Sequence, residues 1–259
     1  MNPLMAVLHV EVLKLRKGKL LWAVLAAFTF APLMGGFFMF VLKNPEFAKT
    51  AGLLGAKARI AGEASWPAYF SLLAQIIAVG GLIVFGFVAS WIFGREYTDR
   101  TIKDLLALPY HRGVLVAAKF LAVMATTGLL SLYVTGLGMV IGWGIGLAGW
   151  SQSVLQNGLA AIVITALLTI SLSAPVAFFA CWGRGYLAPL GFVVLMVVFS
   201  QIIAAVGYGA YFPWSIPALY SGVAGEGYDL KAINIFIVLA ASLAGGAGTW
   251  AWWLYADQY

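Results

Sequence analysis

The chain has 259 residues, 63% of them hydrophobic and 9% charged, with a formal net charge of +6, one cysteine and a mean hydropathy of +0.97. Several apolar runs reach about 20 residues, the length a helix needs to cross roughly 30 Å of hydrocarbon. That composition leaves no stretch for a soluble catalytic domain or for a nucleic-acid-reading module, and Cys181 has no partner for an internal disulfide.

Residues 1–19 place Leu4, Leu8, Val12 and Leu15 at helical spacing, with Glu11 and Lys14 off that stripe, which predicts an interfacial amphipathic helix. The apolar run that follows is long and ends without a small-residue cleavage site, so it reads as a retained span, not a signal peptide. Six spans are predicted, at about 20–42, 68–93, 114–148, 156–181, 187–207 and 232–254. The fold class is therefore an all-α polytopic membrane protein forming a single transmembrane domain over 1–259.

Between the first two spans, residues 43–67 mix charges with small residues, and a short surface helix is expected over 46–61. The third span carries Gly138, Gly142 and Gly146 every four residues, beside Gly136 and Gly144. Small residues at that spacing let helix backbones approach, either within one subunit or across a dimer. Ser131, Ser171 and Ser173 are expected to hydrogen-bond neighbouring helices, and so are Gln75, Gln201 and Asn234. Pro175 and Pro189 flank the short 181–186 connection and predict kinks. Residues 208–231 are too apolar for a solvated loop and, with Pro213 and Pro217, too proline-rich for a span. They predict a re-entrant or interfacial segment covered by other protein.

An even number of spans puts both termini on one side. That side carries ten basic residues: Lys14, Arg16, Lys17, Lys19, Arg95, Arg100, Lys103, Arg112, Lys119 and Arg184. The other side carries five: Lys43, Lys49, Lys57, Arg59 and Lys231. The excess predicts cytoplasmic termini, with anionic membrane lipid as the neighbour of the basic residues and no nucleic acid. Trp22, Trp91, Trp182, Trp250, Trp252 and Trp253 fall near the inner ends, and Trp66, Trp150 and Trp214 near the outer ends, which agrees.

Enzyme chemistry finds no footing. His9 and His111 lack metal-ligand partners at helical spacing, no nucleophile motif is present, and no carboxylate pair lies near a span's midplane. None of the nine acidic residues is predicted near a span's midplane, so there is no signature of ion coupling. There is also no Gly-x-x-x-x-Gly-Lys-Ser/Thr sequence, so ATP-driven transport would need a separate polypeptide.

The segment Gly94–Gly113 is the exception to the apolar pattern, with Glu96, Asp99 and Asp104 against Arg95, Arg100, Lys103 and Arg112. Opposite charges recur at i,i+4 in Arg95/Asp99, Glu96/Arg100, Asp99/Lys103 and Arg100/Asp104, each pair supporting a surface helix by a few tenths of a kcal/mol. Thr101 with Asp104 fits a capping box ahead of Ile102, Leu105, Leu106 and Leu108, and Pro109 ends the helix. On these residues alone, a self-satisfied hairpin and a docking element stand level.

The run Phe93-Gly-Arg-Glu-Tyr-Thr-Asp-Arg-Thr-Ile-Lys-Asp-Leu-Leu-Ala-Leu-Pro109 resembles the segment between the second and third spans of ABC-2 type permeases, the membrane subunits of ATP-binding cassette transporters. Glu11-Val-Leu-Lys-Leu-Arg-Lys17 and Phe212-Pro-Trp-Ser-Ile-Pro217 are similar to the same family in the same order. The resemblance implies a permease of the cytoplasmic membrane working as a pair of copies, a homodimer or heterodimer, with a nucleotide-binding subunit docked on a coupling helix. Glu96, Tyr97, Thr98, Asp99, Arg100, Thr101, Lys103 and Asp104 would then supply docking contacts, and Ile102, Leu105 and Leu106 would pack on the partner or the spans. It implies no cofactor in this chain, since ATP and magnesium belong to the partner. Antibiotic and lantibiotic exporters of the family make a hydrophobic or amphipathic peptide or drug the expected cargo. The alternatives are an ATPase-independent scaffold, channel or intramembrane enzyme, or a complex that signals instead of transporting.

Overall fold

The computed structural model of the chain describes residues 3–50, 63–107, 109–223 and 228–256. Among these residues it is helical without strands, and six helical stretches are long and apolar enough to cross a membrane. Span 1 is α2, Leu20–Lys43. Span 2, Trp66–Thr98, joins α4 (Trp66–Gln75), a π-helical turn (Ile76–Gly80) and α5 (Gly81–Thr98). Span 3 is α7, Arg112–Ile145, an unbroken helix of 34 residues and so about 51 Å long. Span 4 joins α8 (Gln152–Ser171) to α9 (Ser173–Trp182). Spans 5 and 6 are α10 (Leu187–Ala205) and α12 (Ala232–Tyr255). Short helices α1 (Pro3–Lys17), α3 (Pro45–Thr50), α6 (Ile102–Leu106) and α11 (Ile216–Tyr220) lie between or before the spans. The surface helix expected over 46–61 falls mostly outside the described residues; α3 covers only its start.

The interior is built by spans 2, 3 and 4, whose apolar windows are half or more buried, whereas the windows of spans 5 and 6 are 17% and 22% buried. Close approach between spans rests on particular glycines. A Cβ at Gly138 would lie 2.6 Å from Leu73, and one at Gly142 would lie 2.7 Å from Trp66, so this pair seats span 2 against span 3 within the subunit. Gly136 and Gly144, one or two residues around the helix, have no atoms within that reach. Gly146 ends the helix in the left-handed conformation, φ 68°, where a side chain would be strained. Gly245 of span 6 meets the backbone of Ala174 and Pro175 in span 4, where any side chain would collide.

Pro175 acts as expected. Span 4 breaks at Leu172, because Pro175 offers no N–H to the carbonyl of Ser171 one turn earlier. Pro189 does not kink span 5, since it lies in the first turn of α10, where N–H groups have no intrahelical acceptor. The span serines also depart from expectation. Ser131, Ser171 and Ser173 donate to Thr127 O, Leu167 O and Ile170 O of their own chain turn, at 2.9, 2.8 and 2.6 Å. A carbonyl three or four residues back is always within reach of a helical hydroxyl, so no neighbouring helix is needed.

At the end opposite α1, Lys43 donates to Ile145 O and Gly146 O at 2.6 and 2.7 Å, placing a cation on the C-terminus of span 3. The segment before span 6 folds over spans 2 and 4. Ser215 donates to Gly209 O at 2.6 Å, Ser71 of span 2 to Ser221 O at 3.1 Å, and Asn234 to Ala210 O at 2.8 Å. Asn234 also accepts from Lys231 N, so it caps its own helix while holding this segment. At the basic end, Arg112 donates to Trp253 O and Leu254 O, closing span 3 onto the C-terminus of span 6.

Candidate functional site

The charged stretch after span 2 is not one continuous helix. Helix α5 stops at Thr98, Arg100 turns back with φ 57°, and Thr101 N donates to Glu96 O at 2.9 Å while Arg100 N donates to Tyr97 O at 3.2 Å. This is a Schellman ending with arginine at the position glycine usually occupies. The end of span 4 repeats it. Arg184 has φ 50°, Gly185 N donates to Ala180 O at 3.2 Å, and Arg184 N donates to Cys181 O at 3.2 Å. The turn after span 4 packs on the last turns of α5, since a Cβ at Gly94 would lie 2.8 Å from Gly185 O. Left-handed backbone costs a non-glycine residue about 1–2 kcal/mol. Each arginine follows a helix C-terminus, where a positive charge is favoured by the helix dipole. Arg100, Lys103 and Arg184, with Tyr97 and Ile102, line a cavity of about 410 Å³ at this end.

Beneath the turn lies a buried ion cluster. The Lys119 side chain, 1% exposed, donates to Glu11 Oε1 at 3.1 Å, Glu96 Oε1 at 3.0 Å and Ile92 O at 3.0 Å, using all three ammonium protons. Lys14 donates to the same Glu96 oxygen at 2.7 Å and lies 3.4 Å from Glu11. Thr101 donates to the other Glu96 oxygen at 2.6 Å. Two carboxylates thus meet two ammoniums, and the cluster is neutral as a whole. A buried charge is tolerated only when paired and hydrogen-bonded in this way. The result ties α1, the end of span 2 and the second turn of span 3 together, with Thr101 attaching the turn above.

The docking residues expected from the sequence divide by side. Thr98, Asp99, Arg100, Lys103 and Asp104 are exposed. Ile102 is buried and Leu105 and Leu106 pack partly buried against the core, so the apolar side of α6 faces the spans. Tyr97 is half-buried and packs on the core. Glu96 does not face outward: it is 2% exposed and its oxygens are spent on Lys14, Lys119 and Thr101. Of the i,i+4 pairs, Arg95–Asp99 forms at 3.1 Å. Glu96 is turned away from Arg100, and the turn at 99–101 takes Asp99/Lys103 and Arg100/Asp104 out of a common helix. Thr101 makes no side-chain cap on α6; its hydroxyl instead donates to Glu96.

Sequence reading missed Glu11, Lys14 and Lys119 as members of a site. Glu11 lies on the buried face of α1 with Val7 and Leu15, not beside an apolar stripe through Val12, which is exposed. The available signal was Lys119, a charge one and a half turns inside an apolar span.

A family model described as an ABC-2 family transporter protein matches residues 7–200, which include most of α1, the ion cluster and both arginine turns. The chain belongs to the ABC-2 transporter family. It is also 28% identical over 140 residues to the bacitracin transport permease protein of Bacillus licheniformis, covering 54% of this chain and 67% of that protein. With six apolar spans, this ABC-2 protein is a multi-pass membrane permease of an ABC transporter, a transport subunit instead of an enzyme.

Proposed function

We propose that this permease is the membrane half of an exporter in the cytoplasmic membrane, driven by ATP hydrolysis in a separate cassette subunit. Both termini and the arginine turns face the cytoplasm in this reading, in keeping with the basic excess at that end. The observation that carries it is the exposed set Thr98, Asp99, Arg100, Lys103 and Asp104, held on a short turn whose Thr101 is bonded into the buried cluster. A partner pressing on that turn acts on spans 2 and 3 and on α1 together. ATP and its magnesium ion reside in the partner. Two copies of the permease form the pathway, which suits spans 5 and 6, the least covered of the six. The relative's name supports bacitracin, or another amphipathic peptide, as cargo.

The test is co-expression with a cassette ATPase encoded beside this chain. Arg100→Glu with Lys103→Glu is expected to abolish co-purification and ATP-dependent uptake of bacitracin by inverted vesicles, while the double variant still folds. Undiminished association would remove the docking surface from these residues. Bacitracin uptake without ATP or ATPase would overturn the ATP-driven reading altogether.

A further inference from the structure

A crevice of about 510 Å³ opens laterally at the basic end, between α1, the end of span 2 and the start of span 5. Val10 and Leu13, both substantially exposed on α1, form an apolar lip. Lys14, Lys17 and Arg95 line the same crevice with Asp99; because Lys14 is already paired in the ion cluster, Lys17 and Arg95 against Asp99 leave it a net charge of about +1 at neutral pH. Arg95 is fixed twice: its Nε donates to Asp99 at 3.1 Å, and its guanidinium carbon lies 4.9 Å from the Trp91 ring centroid. Trp91 and Tyr186, both half-buried, supply the amphipathic rings that favour headgroup depth. Gly18 lets the Trp91 ring pack closely against the end of α1, since a Cβ there would lie 3.1 Å from that ring.

Exposed apolar residues beside two cations, one of them fixed, and flanked by interfacial aromatics match one kind of molecule. We propose that this crevice binds the phosphate headgroup of an anionic glycerophospholipid, with the phosphate between Lys17 and Arg95 and the glycerol and upper acyl chain along Val10 and Leu13. A soluble anion would gain nothing from the lip, and a zwitterionic lipid would bring its own cation against Arg95. Lys14 lines both this crevice and the ion cluster, where it holds Glu96 at 2.7 Å. The bound lipid therefore sits directly against the element that links α1 to span 2. The proposal does not depend on the docking reading, because it concerns the purified chain and a lipid alone.

The experiment is native mass spectrometry of the purified chain in micelles, titrated with phosphatidylglycerol or phosphatidylcholine. One phosphatidylglycerol is expected to bind in preference to phosphatidylcholine. Lys17→Gln with Arg95→Gln should weaken it by about 25-fold, taking about five-fold for each cation near a headgroup. Arg16→Gln with Lys19→Gln removes the same charge outside the crevice and should weaken it far less. Asp99→Asn should tighten binding several-fold, an effect a damaged fold would not give. Equal losses in the two double variants, or no preference for the anionic lipid, would overturn the site. Displacement of the lipid by millimolar inorganic phosphate would overturn the lipid assignment in favour of a soluble anion.

Discussion

Lys119→Met is the sharpest probe of the ion cluster. The substitution keeps a long unbranched side chain but removes an ammonium with three acceptors, two of them carboxylates at 3.0 and 3.1 Å. Glu11 and Glu96 are then left with Lys14 as their one cation, and a buried net charge of −1 replaces neutrality. Removing one partner from a buried ion pair costs about 3–5 kcal/mol. Lys14 stays within 2.7 and 3.4 Å of the two carboxylates, so the lower end, about 3 kcal/mol, is expected here. Lys119→Met with Glu96→Gln restores neutrality through Glu11 and Lys14, and the double variant should be less destabilised than the sum of the singles by about 1–3 kcal/mol. Reversible unfolding in mixed micelles with sodium dodecyl sulfate, applied to wild type, both singles and the double, measures that coupling. A single-variant cost below about 1 kcal/mol, or additive singles, would mean that the four charges are solvated and not a buried unit.

Other changes test the surrounding framework. Gly245→Ala places a methyl on the backbone of Pro175, where no side chain can rotate away, and should destabilise by about 1–3 kcal/mol in the same unfolding assay. Gly144→Ala, where a Cβ meets nothing, should be neutral or slightly stabilising. Lys43→Met strips the exposed cation from Ile145 O and Gly146 O and should cost about 1 kcal/mol or less, with Lys43→Arg close to wild type. Thr101→Val removes the bond to Glu96 at a stability cost of about 1–2 kcal/mol, while Thr101→Ser retains it. In the proposed exporter, Thr101→Val is expected to leave ATPase association intact and to lower ATP-dependent uptake; unchanged uptake would show that the bond does not transmit the partner's movement.

The six spans were legible because each is a long apolar run, and hydrophobicity of that length has few other uses in a protein. The break in span 4 was legible too, because a missing N–H is a property of Pro175 itself. The ion cluster was not, since Glu11 and Glu96 lie 108 and 23 positions from Lys119 and meet it only after the helices are assembled. Reading i,i+4 pairs along 95–104 assumed a continuous helix although the capping-box pattern at Thr101 marked a new start; the end of the preceding helix carried no glycine, since Arg100 takes the left-handed position. The glycines of span 3 show a subtler limit. Gly138 and Gly142 pack on span 2 while Gly136 and Gly144 do not, and spacing alone treats both pairs alike.

A buried neutral cluster is a costly way to hold helices together, because apolar side chains of equal volume would often hold them as well or better. What charges add is a defined register. An apolar face tolerates a slide of an ångström, whereas Lys119 bonded to Glu11, Glu96 and Ile92 O loses its bonds over the same distance. Helix α1, the end of span 2 and the start of span 3 are therefore expected to move as one body. The hydroxyl of Thr101 enters that body from the exposed turn through Glu96. A docked ATPase would accordingly transmit displacement through a short polar path, and the packing of Ile102 beneath α6 would keep the turn from yielding first.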